Sequence, residues 1–153
     1  MRHKLVFCKL IFYAADMTRR KQSYESGCPI AYGLGTFGDQ WSLLVIRDLA
    51  IKGVRTYSEL LDGWEGISTN ILAQRLKQLE ENGIVTKKRD PDYWRSFVYQ
   101  LTPKGRDLAP VLAEIILWSG KYNTADNAMT DTLEKVRVDR AGFVEKIRTG
   151  DVP

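Results

Sequence analysis

Residues 66–90 read GISTNILAQRLKQLEENGIVTKKRD. Ser68 is a natural N-cap, and the spacing that follows is helical up to the glycine at 83. At 3.6 residues per turn, Leu72, Leu76 and Leu79 fall on one stripe, with Ile67 as an apolar anchor just before it. Asn70, Gln74 and Lys77 fall on the opposite face with Ala73 beside them, Thr69 at the N-terminal end and Arg75 at the flank. Taken alone, this pattern describes an ordinary amphipathic surface helix. Its continuation changes the reading, because a strand carrying Lys87, Lys88 and Arg89 follows at once, with Arg95 beyond the turn.

That combination suits DNA. Asparagine and glutamine can each pair with both major-groove edge groups of adenine, and arginine with those of guanine. The N-terminus of the helix offers backbone N–H groups and a positive dipole end to a phosphate. The basic hairpin sits where a wing reaches the adjacent backbone or minor groove. Neither half is specific by itself.

Working outward, IVTKKR and SFVYQL read as two strands around the turn DPDYWR, the second alternating Phe97, Tyr99 and Leu101 on one face. Upstream, PIAYGLGTFG predicts a helix with Pro29 at its first position. DQWSLLVIRDLAIKG predicts a second, with Trp41, Leu44, Val45 and Leu49 apolar, and RTYSELLDGWEG a short third that Gly63 breaks. Downstream, Thr102 and Pro103 predict the cap and first residue of one long helix through Tyr122, bent early by Pro110. Residues 130–148 carry helical spacing weakened by Gly142. The order is four helices, two strands and a helix: mainly α with a small antiparallel β-hairpin wing, a winged helix-turn-helix.

Composition narrows the function. A chain of 153 residues with 44% hydrophobic and 27% charged side chains can bury a core of its own. The net charge of +4 permits a polyanionic partner without requiring one. Cys8 and Cys28 are too few for a disulfide scaffold and suit a reducing cytoplasm. His3 is the only histidine, so a metal centre or histidine-based catalysis is disfavoured, and we expect neither a cofactor nor an enzyme.

Two features need separate readings. Gly33, Gly35 and Gly38 have the GxGxxG spacing of a dinucleotide loop, but no apolar strand leads into them. We read them instead as allowing close helix packing. The apolar run LVFCKLIFYAA is interrupted by Lys9 and is too short to span a bilayer, so no membrane partner is expected. Met17 opens a polar, basic stretch, so residues 1–16 read either as an upstream extension of the natural start or as an amphipathic segment that packs on a partner.

With these pieces in place, residues 28–122 resemble the HxlR-type bacterial and archaeal transcriptional regulators. The markers are the Cys28-Pro29 start, WSLLVIRDL, YSEL, GISTNILAQRLKQLEENGIV and YQLTPKG, all in order. The resemblance implies a winged-helix homodimer that binds double-stranded DNA at a palindromic operator. It sets the domain at 28–122, between an N-terminal extension (1–27) and a helical tail (123–153). Carried over by position, Ser68 starts the recognition helix, and Thr69, Asn70, Gln74 and Arg75 match its DNA-facing positions, with Lys77 further along. Lys87, Lys88, Arg89 and Arg95 fall in the wing, and Arg55 precedes the YSEL helix as a phosphate contact. Gln40 stands where the family commonly has a basic residue, which removes one backbone contact. Gly33 and Gly35 replace better helix formers and loosen the first helix.

Cys28 holds the position that some such regulators use to sense oxidants or electrophiles. A thiol at a helix N-terminus has its thiolate favoured by the dipole, although most lone cysteines are inert. Trp64, Tyr93, Trp94, Trp118 and Tyr122 could line a small-molecule effector pocket, or belong to the core and dimer interface. The dimer core is expected on the apolar face of LAPVLAEIILW, with the first helix and the tail. The competing class is a winged-helix protein–protein interaction module that does not bind DNA.

Overall fold

The computed structural model describes residues 27–63, 65–123 and 129–151. Expectations for residues 1–16 and for Trp64 lie outside these. The chain divides into two compact units, Met1–Gln40 and Trp41–Pro153. Among the described residues no helix is long and apolar enough to cross a membrane.

In the first unit, α1 (Pro29–Phe37) is capped by Cys28 in an extended conformation, with proline in its first turn. The helix ends on Gly38, whose N–H donates to the Leu34 carbonyl at 3.0 Å. The glycine pattern lies inside this helix and its cap, not in a strand-to-helix turn. Its role also differs from expectation. A Cβ at Gly33 would meet the Phe37 ring at 3.2 Å, and one at Gly38 the Leu34 Cα at 2.7 Å, so both glycines relieve crowding within their own helix.

The second unit carries α2 (Gln40–Ile51) from its second residue on, α3 (Tyr57–Leu61), α4 (Thr69–Glu81), β1 (Val85–Arg89) and β2 (Phe97–Leu101). The buried stripe of α2 is Ser42, Val45, Ile46 and Ala50, rotated from the expected Trp41–Leu44 side, which is only half-buried. Asp48 joins that stripe as a charge because Arg47 binds it at 2.6 Å and Lys52 at 3.1 Å. Leu60 from α3, Leu72, Leu76 and Leu79 from α4, and Ile84, Val85, Tyr99 and Leu101 from the hairpin complete this part of the core. At about 1.5–3 kcal/mol for each fully buried aliphatic side chain, the leucine stripe is what docks α4.

The strands pair antiparallel from Val85↔Leu101 to Arg89↔Phe97. A bridge between Thr56 and Val98 gives β2 a second neighbour, so the wing is tied directly to the segment before α3.

The single long helix expected from Pro103 is two: α5 (Pro103–Arg106) and α6 (Ala109–Tyr122). Pro110 has no N–H to donate to Arg106, and its ring would collide with that carbonyl. The chain restarts with Pro110 in the first turn of α6. The tail is likewise α7 (Thr130–Val138) and α8 (Arg140–Thr149). Asp139 breaks it and caps α8 by accepting from the Gly142 N–H at 2.8 Å. Both tail helices pack on α6, where Arg140 pairs with Glu114 at 2.5 Å. On α6, Ala109, Leu112 and Ala113 are buried within the protomer, while Ile115, Trp118 and Tyr122 remain exposed.

Candidate nucleic-acid interface

The helix-turn-helix is assembled by three devices, one local and two between separate elements. Thr56 and Glu59 form a reciprocal capping box at the start of α3. The Glu59 carboxylate accepts from the Arg55 N–H at 3.0 Å, the Thr56 N–H at 2.8 Å and the Thr56 hydroxyl at 2.8 Å. These bonds, led by the one from Arg55, hold its pKa below the usual glutamate value. Next, the Tyr57 hydroxyl donates to the Thr69 carbonyl at 2.8 Å, fixing the start of α4 against α3. Finally, Arg47 on α2 donates to Glu65 in the connection before α4, while also holding Asp48. The bond from Arg47 lowers the Glu65 pKa. Burial pulls the Arg47 pKa down, but Glu65 and Asp48 together leave it raised.

These interactions were not anticipated from the sequence. The capping box had a signal, the spacing T-x-x-E at 56–59 ahead of apolar residues. Arg47–Glu65 and Tyr57–Thr69 had none, because each joins positions that only folding brings together.

On α4, Ser68 caps the helix by accepting from the Ile71 N–H at 3.4 Å. Ser68, Thr69, Asn70, Ala73, Gln74 and Lys77 are all exposed, opposite the buried leucines. Arg75 is half-buried, and its Nη1 donates to the side chain of buried Gln78 at 2.7 Å, so it lies off the open face. Lys77 stands 3.8 Å from Glu81, a solvent-exposed pair of little energetic weight.

In the wing, strand alternation separates the basic residues. Lys87 and Arg89 point to the Phe97 side, at 4.2 and 4.8 Å from that ring, and Lys88 points to the other side. Arg89 also donates to the Trp94 carbonyl at 2.6 Å, and Arg95 lies 4.7 Å over the Trp94 ring. Arg55 is exposed beside the wing base, its carbonyl accepting from the Tyr99 N–H at 2.7 Å. Burial raises the Tyr99 pKa. The aromatic residues grouped from sequence are dispersed: Tyr93 and Trp94 sit in the turn that joins the strands, whereas Trp118 and Tyr122 form a tilted pair on α6 with ring centroids 5.3 Å apart. Cys28 is exposed at the N-cap of α1, in the other unit.

Known proteins share this arrangement. Residues 36–127 match the family described as HxlR-like helix-turn-helix. An uncharacterized HTH-type transcriptional regulator of Synechocystis is 41% identical over 91 residues, covering 58% of this chain and 67% of its own length. The HTH-type transcriptional regulator YodB of Bacillus subtilis is 32% identical over 96 residues, covering 62% of this chain and 85% of its own. The structure of reduced YodB superposes with a TM-score of 0.53 at 29% identity, covering 65% of this chain and 98% of that one. The matched region includes the helix-turn-helix and the whole wing. The chain belongs to the HxlR-like helix-turn-helix family.

Proposed function

We propose that this protein is a transcriptional regulator that binds double-stranded DNA sequence-specifically as a homodimer, without catalytic activity. The observation that carries the reading is the open polar face of α4, backed by buried leucines and followed directly by a basic hairpin. Asn70 and Gln74 read base edges from the major groove, with Thr69 and Ser68 at the helix start beside a phosphate. Arg75, tied to Gln78, contributes from the flank, and Lys77 lies further along the same exposed side. Lys87, Lys88, Arg89, Arg95 and Arg55 face the phosphate backbone.

The exposed Ile115, Trp118 and Tyr122 of α6 support self-association, as do Ile30, Tyr32 and Leu34 on α1. A two-fold dimer would place two α4 helices roughly 34–36 Å apart on a palindromic operator. Selection of bound sequences from a random DNA pool tests this. An enriched inverted repeat is expected. Failure to enrich any sequence, with partner binding that is insensitive to salt, would support the protein–protein interaction module instead.

A second reading concerns regulation. Cys28 is exposed at the N-cap of α1, where an oxidant or electrophile can reach its thiol. Oxidants or electrophiles then release operator DNA, and Cys28→Ser abolishes that response. A variant that responds like the parent rules the switch out and leaves a small-molecule effector as the remaining form of control.

A further inference from the structure

The wing ends in two large side chains that the protomer leaves uncovered. Tyr93 is 71% exposed and Trp94 70% exposed. They do not sit on a slack loop. The Asp90 N–H donates to the Ser96 carbonyl at 3.1 Å, and the Ser96 N–H to the Tyr93 carbonyl at 2.7 Å. The Asp92 N–H donates to the Asp90 carboxylate at 2.9 Å, and Arg89 anchors the Trp94 carbonyl. A third wing aromatic, Phe97, is treated differently, since Lys87 and Arg89 cover it. The fold therefore shields one ring and presents two at the end of a braced arm.

Charge and reach indicate what covers them. Between Lys87 and Arg95 four cations outnumber two carboxylates. Asp90 and Asp92 line a cleft of about 350 Å³ shared with Arg55 and Glu59, whereas Tyr93, Trp94 and Arg95 are not part of its wall. Arg89 on the Trp94 carbonyl and Arg95 over the Trp94 ring make the surroundings of Trp94 basic, which fits a polyanion. Five residues of strand carry the tip about 16 Å beyond the wing base. That is roughly half the 34–36 Å repeat of DNA, the step from a major groove to the neighbouring minor groove. Minor-groove walls are sugar rings, and proteins that enter this groove commonly insert apolar side chains.

We propose that Tyr93 and Trp94 form an apolar minor-groove contact, with Trp94 seated against the deoxyribose walls and Arg95 held over its ring to meet the flanking phosphate. This assignment rests on the DNA-binding reading above and adds two recognition residues to it.

The test uses the full-length protein and an operator recovered by random-pool selection. Trp94→Ala should raise Kd about fivefold or more, the effect of losing a buried aromatic anchor. It should do so without changing the salt dependence, because no charge is removed. Arg95→Ala should lower the slope of log K against log salt by about 0.9 per protomer. Replacing A·T by I·C pairs under the wing should leave parent binding intact, since the minor-groove pattern is kept. The same replacement under α4 should weaken binding, since the major-groove pattern changes. Parental affinity in Trp94→Ala overturns the proposal, as does a loss traced by sedimentation to dimer dissociation. If the parent protein enriches no sequence at all, the DNA-binding reading itself has failed. If the parent binds and Trp94→Ala binds equally, only the minor-groove contact has.

Discussion

Gln74 is the position at which base reading and stability separate most cleanly. It lies one helical turn after Asn70 on the exposed face of α4, and among the described residues no hydrogen bond or ion pair occupies its amide. Gln74→Ala therefore removes nothing that holds the protomer together. Alanine is also the better helix former, so folding stability should stay within about 0.5 kcal/mol of the parent. If the amide pairs with both edge groups of a base, its loss costs about 1–3 kcal/mol, or about 5- to 150-fold in affinity per half-site. A two-fold dimer makes the contact twice, so a full palindrome feels it twice. Fluorescence anisotropy should be measured on an operator series in which each base pair is swapped in turn. The parent should discriminate strongly at one position per half-site, and the variant should lose that discrimination while keeping the rest. Undiminished preference at every position would refute the assignment of this face. So would an equal loss on every sequence, which is the signature of a backbone contact.

Three other perturbations probe the remaining links. Leu72 is fully buried beneath α4, so Leu72→Ala should cost about 2–5 kcal/mol in denaturant unfolding, and a loss under 1 kcal/mol would show that the stripe is not what docks the helix. Lys88 stands on the wing face away from Phe97, and Lys88→Ala should reduce the salt slope of DNA binding by about 0.9 per protomer; an unchanged slope removes it from the phosphate contacts. Glu59 and Glu65 have folded pKa values below the unfolded value of about 4.3, so their stabilisation is complete above that pH and is lost as pH falls through the lower folded values. Glu65→Gln should remove part of the acid-side loss of stability followed by circular dichroism, and an identical acid profile would show that Arg47 does not hold the connection before α4.

By itself, the sequence determined the local elements and their order. Helical spacing at Leu72, Leu76 and Leu79, the cap at Ser68 and the alternation of Phe97, Tyr99 and Leu101 are short-range signals, and each element formed where its signal lay. The ordered markers from Trp41 to Gly105, all within the matched residues 36–127, carried the family in the same way. What it misjudged were interruptions in longer patterns. Pro110 splits the helix after Thr102 because it can neither donate to nor fit beside Arg106, and Asp139 divides the tail by capping α8.

The tertiary structure decided which of the expected site residues stand open and which are engaged. Arg75 sits on the flank of the helical wheel, and the folded chain turns it to Gln78, whose amide is buried beside it. Lys87, Lys88 and Arg89 are consecutive cations in sequence, but the strand pleat places Lys88 on one face and sets the other two against Phe97. The bridge from Thr56 to Val98 and the bonds from Arg47 to Glu65 and Tyr57 to Thr69 join distant positions and fix how α4 is presented beside the wing. Periodicity records which side of an element is apolar; only the folded chain determines what each polar side chain meets there.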